Sequence, residues 1–364
     1  MALRAALSVL VGPGDHVPVP MGRVRRSIRG RCTGVSRLVP VVVLGLVLCS
    51  CGLAGGAASP PTSGRPGQTG RPGRTGSSST LPASTLPPTT STTTTTTVPA
   101  QPGWTVVSRE STGVAIDERT VQASDGSTVT VVRFRSGQVH FDLHDGATDP
   151  PSNGTTLGAN AQSVVSAAER PILLAAFNGG FKVTTGSGGF EVNGHDLTPL
   201  LPGMATMAIN ASGAAAIGVW GTAGFPAPTQ QIVSARQNLP PLVQNGQASP
   251  NISDVTAWGA MLGPGPAVAR SSLGEDANGD LLYAASMSAI PADLASALIG
   301  AGAVVAMELD INPYWVQLDA AAVPGGTLAA EIPGQQRPAD QYLVGWTRDF
   351  VTVLAGGVPP MAPG

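Results

Sequence analysis

The stretch Ile172-Leu173-Leu174-Ala175-Ala176-Phe177 is a continuous apolar run that ends abruptly in Asn178-Gly179-Gly180-Phe181. An apolar run without alternation is typical of a strand that is buried on both faces. Two adjacent glycines permit a tight turn with positive φ and let a backbone approach a ligand closely. Pro171 precedes the run and ends an expected helix that Asn160 caps. The apolar side of that helix carries Val164, Val165 and Ala168.

A second helix-to-strand unit lies further along the chain. Pro291 is suited to the first turn of a helix, Asp293 to its positive end, and glycines at 300 and 302 to its termination. The apolar run Val304 to Leu309 then predicts another buried strand. Polar residues follow at the end of this strand, as they do after Phe177. They are Glu308, Asp310 and Asn312.

Shorter strands are expected around these two units. Two long strands are predicted before them, at Val106 to Val114 and Thr128 to Phe141, and a last one at Asp349 to Leu354. Hairpins are predicted at Asn210 to Gly213 and at Asn278-Gly279. The whole pattern predicts one mixed α/β or α+β domain, residues 104–364, with helices flanking a mixed β-sheet.

The N-terminal part of the chain indicates export. Basic residues precede an apolar run, Leu38 to Leu48, which is shorter than the about 20 residues that a membrane-spanning helix needs. Residues 1–50 therefore read as a secretory signal, with a true start at either Met1 or Met21. Leu48-Cys49-Ser50-Cys51 resembles a bacterial lipobox, which predicts lipidation of Cys51 and attachment to the membrane. The alternative is a signal cut elsewhere, with Cys51 incidental.

Residues 51–103 are rich in Gly, Pro, Ser and Thr and end in a run of six threonines, Thr92 to Thr97. Such a segment cannot bury enough apolar surface to offset its chain entropy, so we expect a disordered stalk that carries the domain outside the cell. The cysteines of the chain are Cys32, Cys49 and Cys51, so the domain itself has neither a disulfide nor a thiolate metal site.

Charge restricts the partners of the domain. Residues 104–364 contain 21 acidic side chains against ten basic ones, Lys182 and nine arginines. This excess argues against nucleic acid as the main partner. An anionic substrate would need a local cluster of these few cations.

Glu308 and Asp310 are the candidates for acid–base chemistry. Side chains on a strand repeat every two residues, so both carboxylates are expected on one face. Two neighbouring carboxylates can have separated pKa values, which suits hydrolysis of a glycosidic or phosphodiester bond. The alternative is that Glu308 is a buried, paired structural acid and that Asp310 caps a turn.

Other clusters carry less chemistry. Asp276, Asn278 and Asp280 alternate like the start of a calcium loop, but no bidentate Glu follows, which favours a plain hairpin turn. His140 and His144 lie on one face of a predicted strand, and without a third ligand a solvated face is favoured over a zinc site. No cofactor and no metal are expected.

Several short motifs together resemble the phosphodiester glycosidase family. Ala175-Ala176-Phe177-Asn178-Gly179-Gly180-Phe181 is similar to the NGGF signature of that family. Four further pieces follow in the family's order. They are Gly188-Gly189-Phe190 with Val192-Asn193-Gly194, Gln237 to Val243 with Asn245-Gly246, Arg270 to Gly274 with Asn278-Gly279, and Met307 to Asp310. The resemblance covers about residues 173–354, and one loop departs from it. The family's glycine-rich loop after the Asp is replaced by Ile311-Asn312-Pro313-Tyr314-Trp315.

The resemblance implies a hydrolase of sugar-1-phosphodiester bonds. Glu308 and Asp310 would supply acid–base or water-activating chemistry, and Arg270 would hold a phosphate oxygen. The remaining expected substrate contacts are Asn178, Gly179, Gly180 and Trp315. Because both buried strands are expected to lie parallel and adjacent, Asn178, Arg270, Glu308 and Asp310 should share one cleft. A glycan-binding protein that uses Trp315 as a platform, and a purely structural envelope lipoprotein, are the alternatives.

Overall fold

β-Strands make up most of the regular structure. The computed structural model describes residues 101–149, 163–222, 224–259 and 265–361. The predicted signal segment, Cys51 and the stalk up to residue 100 lie outside these ranges, as does Asn160. None of the helices within the described ranges is long and apolar enough to cross a membrane.

The strands are short and follow one another closely along the chain. In chain order they are β1 Thr105–Glu110, β2 Gly113–Gln122, β3 Thr128–Phe134, β4 Val139–His144, β5 Leu173–Asn178, β6 Phe190–Val192, β7 His195–Thr198, β8 Ala205–Asn210, β9 Ala215–Val219, β10 Ile232–Gln237, β11 Val243–Gln244, β12 Gln247–Ala248, β13 Val268–Asp276, β14 Leu281–Ala289, β15 Ala303–Glu308, β16 Leu318–Ala320, β17 Ala329–Ala330 and β18 Phe350–Ala355. The helices are α1 Pro291–Gly300 and α2 Gln341–Val344, with short 3₁₀ turns at Arg170–Ile172, Val183–Thr185 and Val255–Trp258.

The strands form three sheets. The first has eight strands in the order β1-β2-β3-β14-β13-β15-β11-β12. The second has five, β7-β6-β10-β8-β9, and the third has five, β17-β16-β5-β18-β4. Every pairing between the described strands is antiparallel. The fold is thus mainly β with few helices, and the predicted balance of helix and sheet is only partly right.

The two predicted buried strands are confirmed, but their expected arrangement is wrong. β5 and β15 are buried as predicted, yet they belong to different sheets and do not run side by side. One face of each strand packs into the central core between the sheets. The other face of β15 is covered by α1, and that of β5 by the segment around Tyr342 and Trp346, whereas the prediction placed the two strands side by side in one sheet. An apolar run predicts that both faces of a strand are buried, but it does not indicate whether helices or other strands cover those faces.

Local predictions succeed where a turn or helix signal is strong. α1 begins at Pro291, and the side chain of Asp293 accepts a hydrogen bond from the backbone N–H of Ile290 at 3.0 Å. The hairpin between β13 and β14 is confirmed, as is the one between β8 and β9. The helix expected before Pro171 is wrong, because residues 163–169 form bends and a turn.

The two long N-terminal strands are each divided in two. A turn at residues 111–112 separates β1 from β2, and residues 135–138 separate β3 from β4. Gly113 and Gly137 have positive φ at these breaks. Because polar residues occupy both turns as they do the exposed positions of the strands, alternation alone does not reveal where the chain reverses.

The central core joins the first and third sheets through aromatic rings. Phe134 of β3 stacks on Phe177 of β5 with ring centroids 5.5 Å apart, and Phe177 contacts Tyr283 of β14 at 5.3 Å. α1 covers the other face of the first sheet with Leu294 and Leu298, which are fully buried. β5 thus packs on the first sheet through Phe177 and is paired with β16 and β18 within its own sheet, which fixes the position of its C-terminal end.

Candidate active site

The ends of β5 and β15 meet although the two strands are in different sheets. The backbone N–H of Asp310 donates to the carbonyl of Gly179 at 3.1 Å. Ser271 of β13 lies between them, since its hydroxyl donates to the carbonyl of Asp310 at 2.8 Å and accepts from Asn178 Nδ2 at 2.9 Å. The structure therefore brings Asn178, Gly179 and Asp310 together by a route that differs from the parallel pairing expected from the sequence.

Asn178 is a buried structural centre. Its Oδ1 accepts hydrogen bonds from the hydroxyl of Tyr283 at 2.7 Å and from the backbone N–H of Gln317 at 3.1 Å. Its Nδ2 donates to Ser271 and also to the carbonyl of Gly179 at 2.9 Å. The oxygen and the nitrogen of the Asn178 amide thus each make two hydrogen bonds within the protein, which positions the loop after β5. No donor or acceptor of this side chain remains for the sugar contact that was expected from the sequence.

Gly179 and Gly180 are required by close packing rather than by positive φ, because neither has a φ in that region. A Cβ on Gly179 would lie 1.8 Å from Asp349 Oδ2. That carboxylate accepts from the backbone N–H of Gly180 at 3.2 Å and from Arg236 Nε at 2.7 Å. The glycines thus let the loop lie directly on a buried ion pair between Arg236 and Asp349.

A cleft of about 460 Å³ opens beside this loop. Asp310 and Arg348 lie at its base, Trp315 on one side, and the exposed Lys182 at its rim. The other lining residues are Phe181, Thr185, Gly186, Ser187, Leu239, Thr256, Ala257, Gly259, Ile311 and Asn312. The hydroxyl of Ser187 is buried and has no hydrogen-bond partner among the described residues. The cleft thus combines one carboxylate, two cations and a free hydroxyl.

Asp310 is the acid of this cleft. Its Oδ2 lies 2.8 Å from Arg348 Nη2, and its Oδ1 accepts from the backbone N–H of Ile311 at 2.9 Å. Burial raises the pKa of this carboxyl to about 6, and the charge of Arg348 limits the rise. A carboxyl that titrates close to neutral pH can take or give a proton, which suits general acid–base chemistry.

Arg348 is a charged residue of this cleft that the sequence analysis did not single out. Besides Asp310, its guanidinium contacts Asp149 Oδ2 at 2.8 Å through Nε and donates to the carbonyl of Gly180 at 2.8 Å through Nη2. Its Cζ also lies 5.1 Å from the ring centre of Trp315. Arg348 precedes the predicted last strand in a domain with few cations, and this position was the one sequence signal for it. Several other arginines also lie beside strands, so the signal does not single out Arg348.

Glu308 and Arg270 form a separate pair that is sealed from solvent. Arg270 Nη1 lies 2.8 Å from Glu308 Oε1 and also donates to the carbonyl of Trp258 at 2.8 Å. Both side chains have zero exposure, and neither is among the described residues that line the cleft. Burial raises the pKa of Glu308 to about 7, and Arg270 opposes the rise. Arg270 is therefore not placed to contact a ligand in the cleft, whereas Arg348 lines it.

Trp315 lines the cleft, but its ring is already engaged. Arg348 lies over it, and Trp346 packs against it with ring centroids 5.3 Å apart. Tyr314 is the more exposed aromatic residue of this loop, with 55% of its surface exposed, whereas Trp315 is half-buried. The bulky loop after Asp310 thus packs against Arg348 through Trp315 and leaves the ring of Tyr314 outside.

Two weaker sequence candidates have clear structural roles. Asp276 Oδ1 accepts the backbone N–H groups of Asn278 and Asp280, at 2.8 and 2.9 Å, which makes this segment a hairpin turn. The expected solvated histidine face is wrong for one of its two members. His140 is partly exposed, whereas His144 is buried and lies 2.8 Å from Glu169 Oε1.

Comparison with known proteins gives distant structural similarity and no sequence match. No protein-family model matches the chain, and no curated protein matches it. The catalytic domain of zebrafish N-acetylglucosamine-1-phosphodiester alpha-N-acetylglucosaminidase, auto-inhibited by its pro-peptide, has a TM-score of 0.44 at 15% identity, with 70% of this chain and 88% of that chain covered. A hypothetical protein from Synechocystis has a TM-score of 0.40 at 14% identity, with 66% and 62% covered. Similarity at this level assigns no activity.

Proposed function

We propose that this chain is an extracytoplasmic hydrolase of the phosphodiester glycosidase type that cleaves a sugar-1-phosphodiester bond in an envelope or extracellular glycan. The observation that carries the proposal is the pairing of Asp310 with Arg348 at the base of a cleft, next to the Asn178-Gly179-Gly180 loop. Two of the motifs that resemble the family, Asn178-Gly179-Gly180-Phe181 and Met307 to Asp310, contribute residues to this place.

The cations of the cleft suit the phosphate of such a substrate. Arg348 and Lys182 lie on the cleft, whereas the domain as a whole is acidic, so they form a local site for an anion. A guanidinium matches the geometry of phosphate oxygens. Ser187, whose buried hydroxyl has no hydrogen-bond partner among the described residues, belongs to the wall of the same cleft. Arg348 and Lys182 would therefore bind the phosphate of the substrate.

Asp310 would act as a general base in hydrolysis. Its carboxylate takes a proton from water as the water oxygen bonds to the anomeric carbon, and the bond between that carbon and the bridging oxygen breaks. The leaving group departs as a phosphomonoester that keeps the bridging oxygen and its electron pair. Because a phosphate leaves readily as an anion, binding to Arg348 and Lys182 replaces a second carboxylic acid.

The proposed location rests on the N-terminal sequence. The short apolar run and Leu48-Cys49-Ser50-Cys51 support a lipid anchor on Cys51, and residues 51–103 support a stalk. Mass spectrometry of the N-terminal peptide tests the anchor. Release of a Cys51→Ala variant from the membrane fraction is expected, and an unlipidated wild-type peptide would reject it.

Turnover tests the activity. The wild-type protein should release phosphomonoester from at least one member of a panel of sugar-1-phosphodiesters, and Asp310→Asn should reduce kcat/KM about 10²–10⁴-fold. Asp196→Asn, which changes an exposed aspartate on β7, is the matched control and should keep full activity. Equal turnover by wild type and Asp310→Asn would remove Asp310 from the mechanism.

The exposed Tyr314 beside the cleft favours a second candidate, a glycan-binding protein without turnover. Aromatic rings commonly provide flat apolar surface at binding sites. Two results together would support this candidate over the hydrolase. The wild type should bind glycan fragments more tightly than Tyr314→Ala does, and it should turn over no member of the panel.

A further inference from the structure

Three metal-ligating side chains from two separate segments converge outside the cleft. They are Asp142 and His144 of β4 and Glu169, just before β5, and one ligand atom of each lies within 4.8 Å of the others. An ion with Zn²⁺ distances of about 2.0–2.2 Å holds tetrahedral ligands roughly 3.3–3.6 Å apart, so small side-chain shifts would complete a common site. We propose that Asp142, His144 and Glu169 bind a structural Zn²⁺ ion, with water as its fourth ligand.

The group contains more negative than positive charge. The carboxylates of Asp142 and Glu169 face the single imidazole of His144, with one ligand atom of each within 4.8 Å of the others. His144 Nε2 lies 2.8 Å from Glu169 Oε1, so the imidazole can balance one carboxylate at most. A divalent cation would neutralise the group.

The ligands are held in place by neighbouring groups, as in built metal sites. Glu169 Oε2 accepts from the backbone N–H of Ser166 at 2.8 Å, and its Oε1 accepts from the hydroxyl of Thr352 at 2.8 Å. The imidazole of His144 stacks on Phe350 with ring centroids 4.5 Å apart. Asp142 is half-buried, which leaves a side for the ion and a water molecule to enter.

The ring of His144 also limits the expected affinity. Its Nε2 lies 2.8 Å from Glu169 Oε1, in a contact where Zn²⁺ would replace a proton. Its Nδ1 is buried and has no hydrogen-bond partner among the described residues, so a metal-bound ring would lack the usual acceptor for its second N–H. Loss of such an outer partner weakens metal sites about 10–100-fold. We expect micromolar binding.

The position of the site indicates a stabilising role. His144 pairs with Phe350 across β4 and β18, and Phe350 pairs in turn with Asn178 at the end of β5. Glu169 belongs to the segment that leads into β5. An ion shared by Asp142, His144 and Glu169 would therefore tie the segment that leads into β5 to the edge strand β4, close to the row His144–Phe350–Asn178 at which β5 ends.

Titration of the whole protein, stripped with EDTA and dialysed, tests the proposal. Calorimetry with ZnCl₂ should show one equivalent bound, and a hundredfold excess over Kd should raise Tm by about 5–10 °C. Asp142→Asn and Glu169→Gln should each weaken binding at least tenfold. His140→Gln is the matched control, because this histidine lies on the same strand outside the trio, and it should bind as the wild type does.

Several results would overturn the site. They are absence of Zn²⁺ binding by the wild type, wild-type affinity in Asp142→Asn or Glu169→Gln, and loss of binding in His140→Gln. Anomalous scattering at the zinc edge from wild-type crystals locates the ion without any variant. A peak between Asp142, His144 and Glu169 supports the proposal even where a substituted protein does not fold, and a peak elsewhere rejects it.

Discussion

Two arginine–carboxylate pairs lie at the end of β15, and their surroundings differ. Glu308 pairs with Arg270, and both side chains have zero exposure. Asp310, only two residues later, pairs with Arg348 at the base of a cleft. The closest distance between the charged atoms is 2.8 Å in both pairs. The same chemical pair is thus sealed in one position and open to a ligand in the other.

The comparison shows that access, rather than residue type, separates structural from chemical roles here. A sealed pair loses its hydration permanently, so its arginine serves to balance the buried carboxylate. A pair beside a cleft can exchange partners when a ligand enters. Arg348 also has Asp149 as a second carboxylate partner, at 2.8 Å, which would hold the guanidinium in place during the proposed reaction.

The largest expected difference between the pairs is in stability. Arg270→Met leaves Glu308 buried without a cation and should lower the free energy of unfolding by about 3–5 kcal/mol. Arg348→Met should cost about 1–3 kcal/mol, because water in the cleft can solvate Asp310. Urea denaturation of both variants measures the difference. The double variant Arg270→Met with Glu308→Leu is the internal control, and it should recover most of the lost stability. Equal losses in Arg270→Met and Arg348→Met would show that both pairs are equally sealed from solvent.

The loop beside the open pair provides a second contrast. A Cβ at position 179 would overlap Asp349 Oδ2, so Gly179→Ala should cost about 1–3 kcal/mol of stability. Activity should fall as well, because the carbonyl of Gly179 accepts from the N–H of Asp310. Gly265→Ala is the control, since no atom lies within 4 Å of the added carbon. Unchanged turnover and stability in Gly179→Ala would disprove the close packing.

The smallest expected effect is in the pH profile. Because Asp310 is the proposed base and burial raises its pKa to about 6, turnover should increase with pH and reach half its maximum near pH 6. Rates at pH 5 should be about tenfold below the plateau, following one protonation. Arg348 lowers this pKa, so Arg348→Gln should move the midpoint upward. A profile that falls with rising pH would instead identify Asp310 as an acid.

Part of this arrangement could be predicted from the sequence. The apolar runs before Asn178 and Glu308 correctly predicted buried strands, and the turn residues Asn278-Gly279 correctly predicted a hairpin. These signals depend only on neighbouring residues in the sequence. The assignment of β5 and β15 to different sheets depends on pairings between distant segments, which no local pattern contains. Arg270 and Arg348 look equally suitable in the sequence, and only the packing around Glu308 closes one of them to solvent.

The central claim is that the open pair, and not the sealed one, receives the anionic part of a substrate. A crystal structure with a non-hydrolysable sugar-1-phosphonate diester tests it most directly. The phosphonate oxygens are expected on Arg348 and Lys182, with the anomeric carbon facing Asp310 and with the Arg270–Glu308 pair unchanged. A ligand seated on Arg270, or bound away from the cleft of Asp310, would contradict the account.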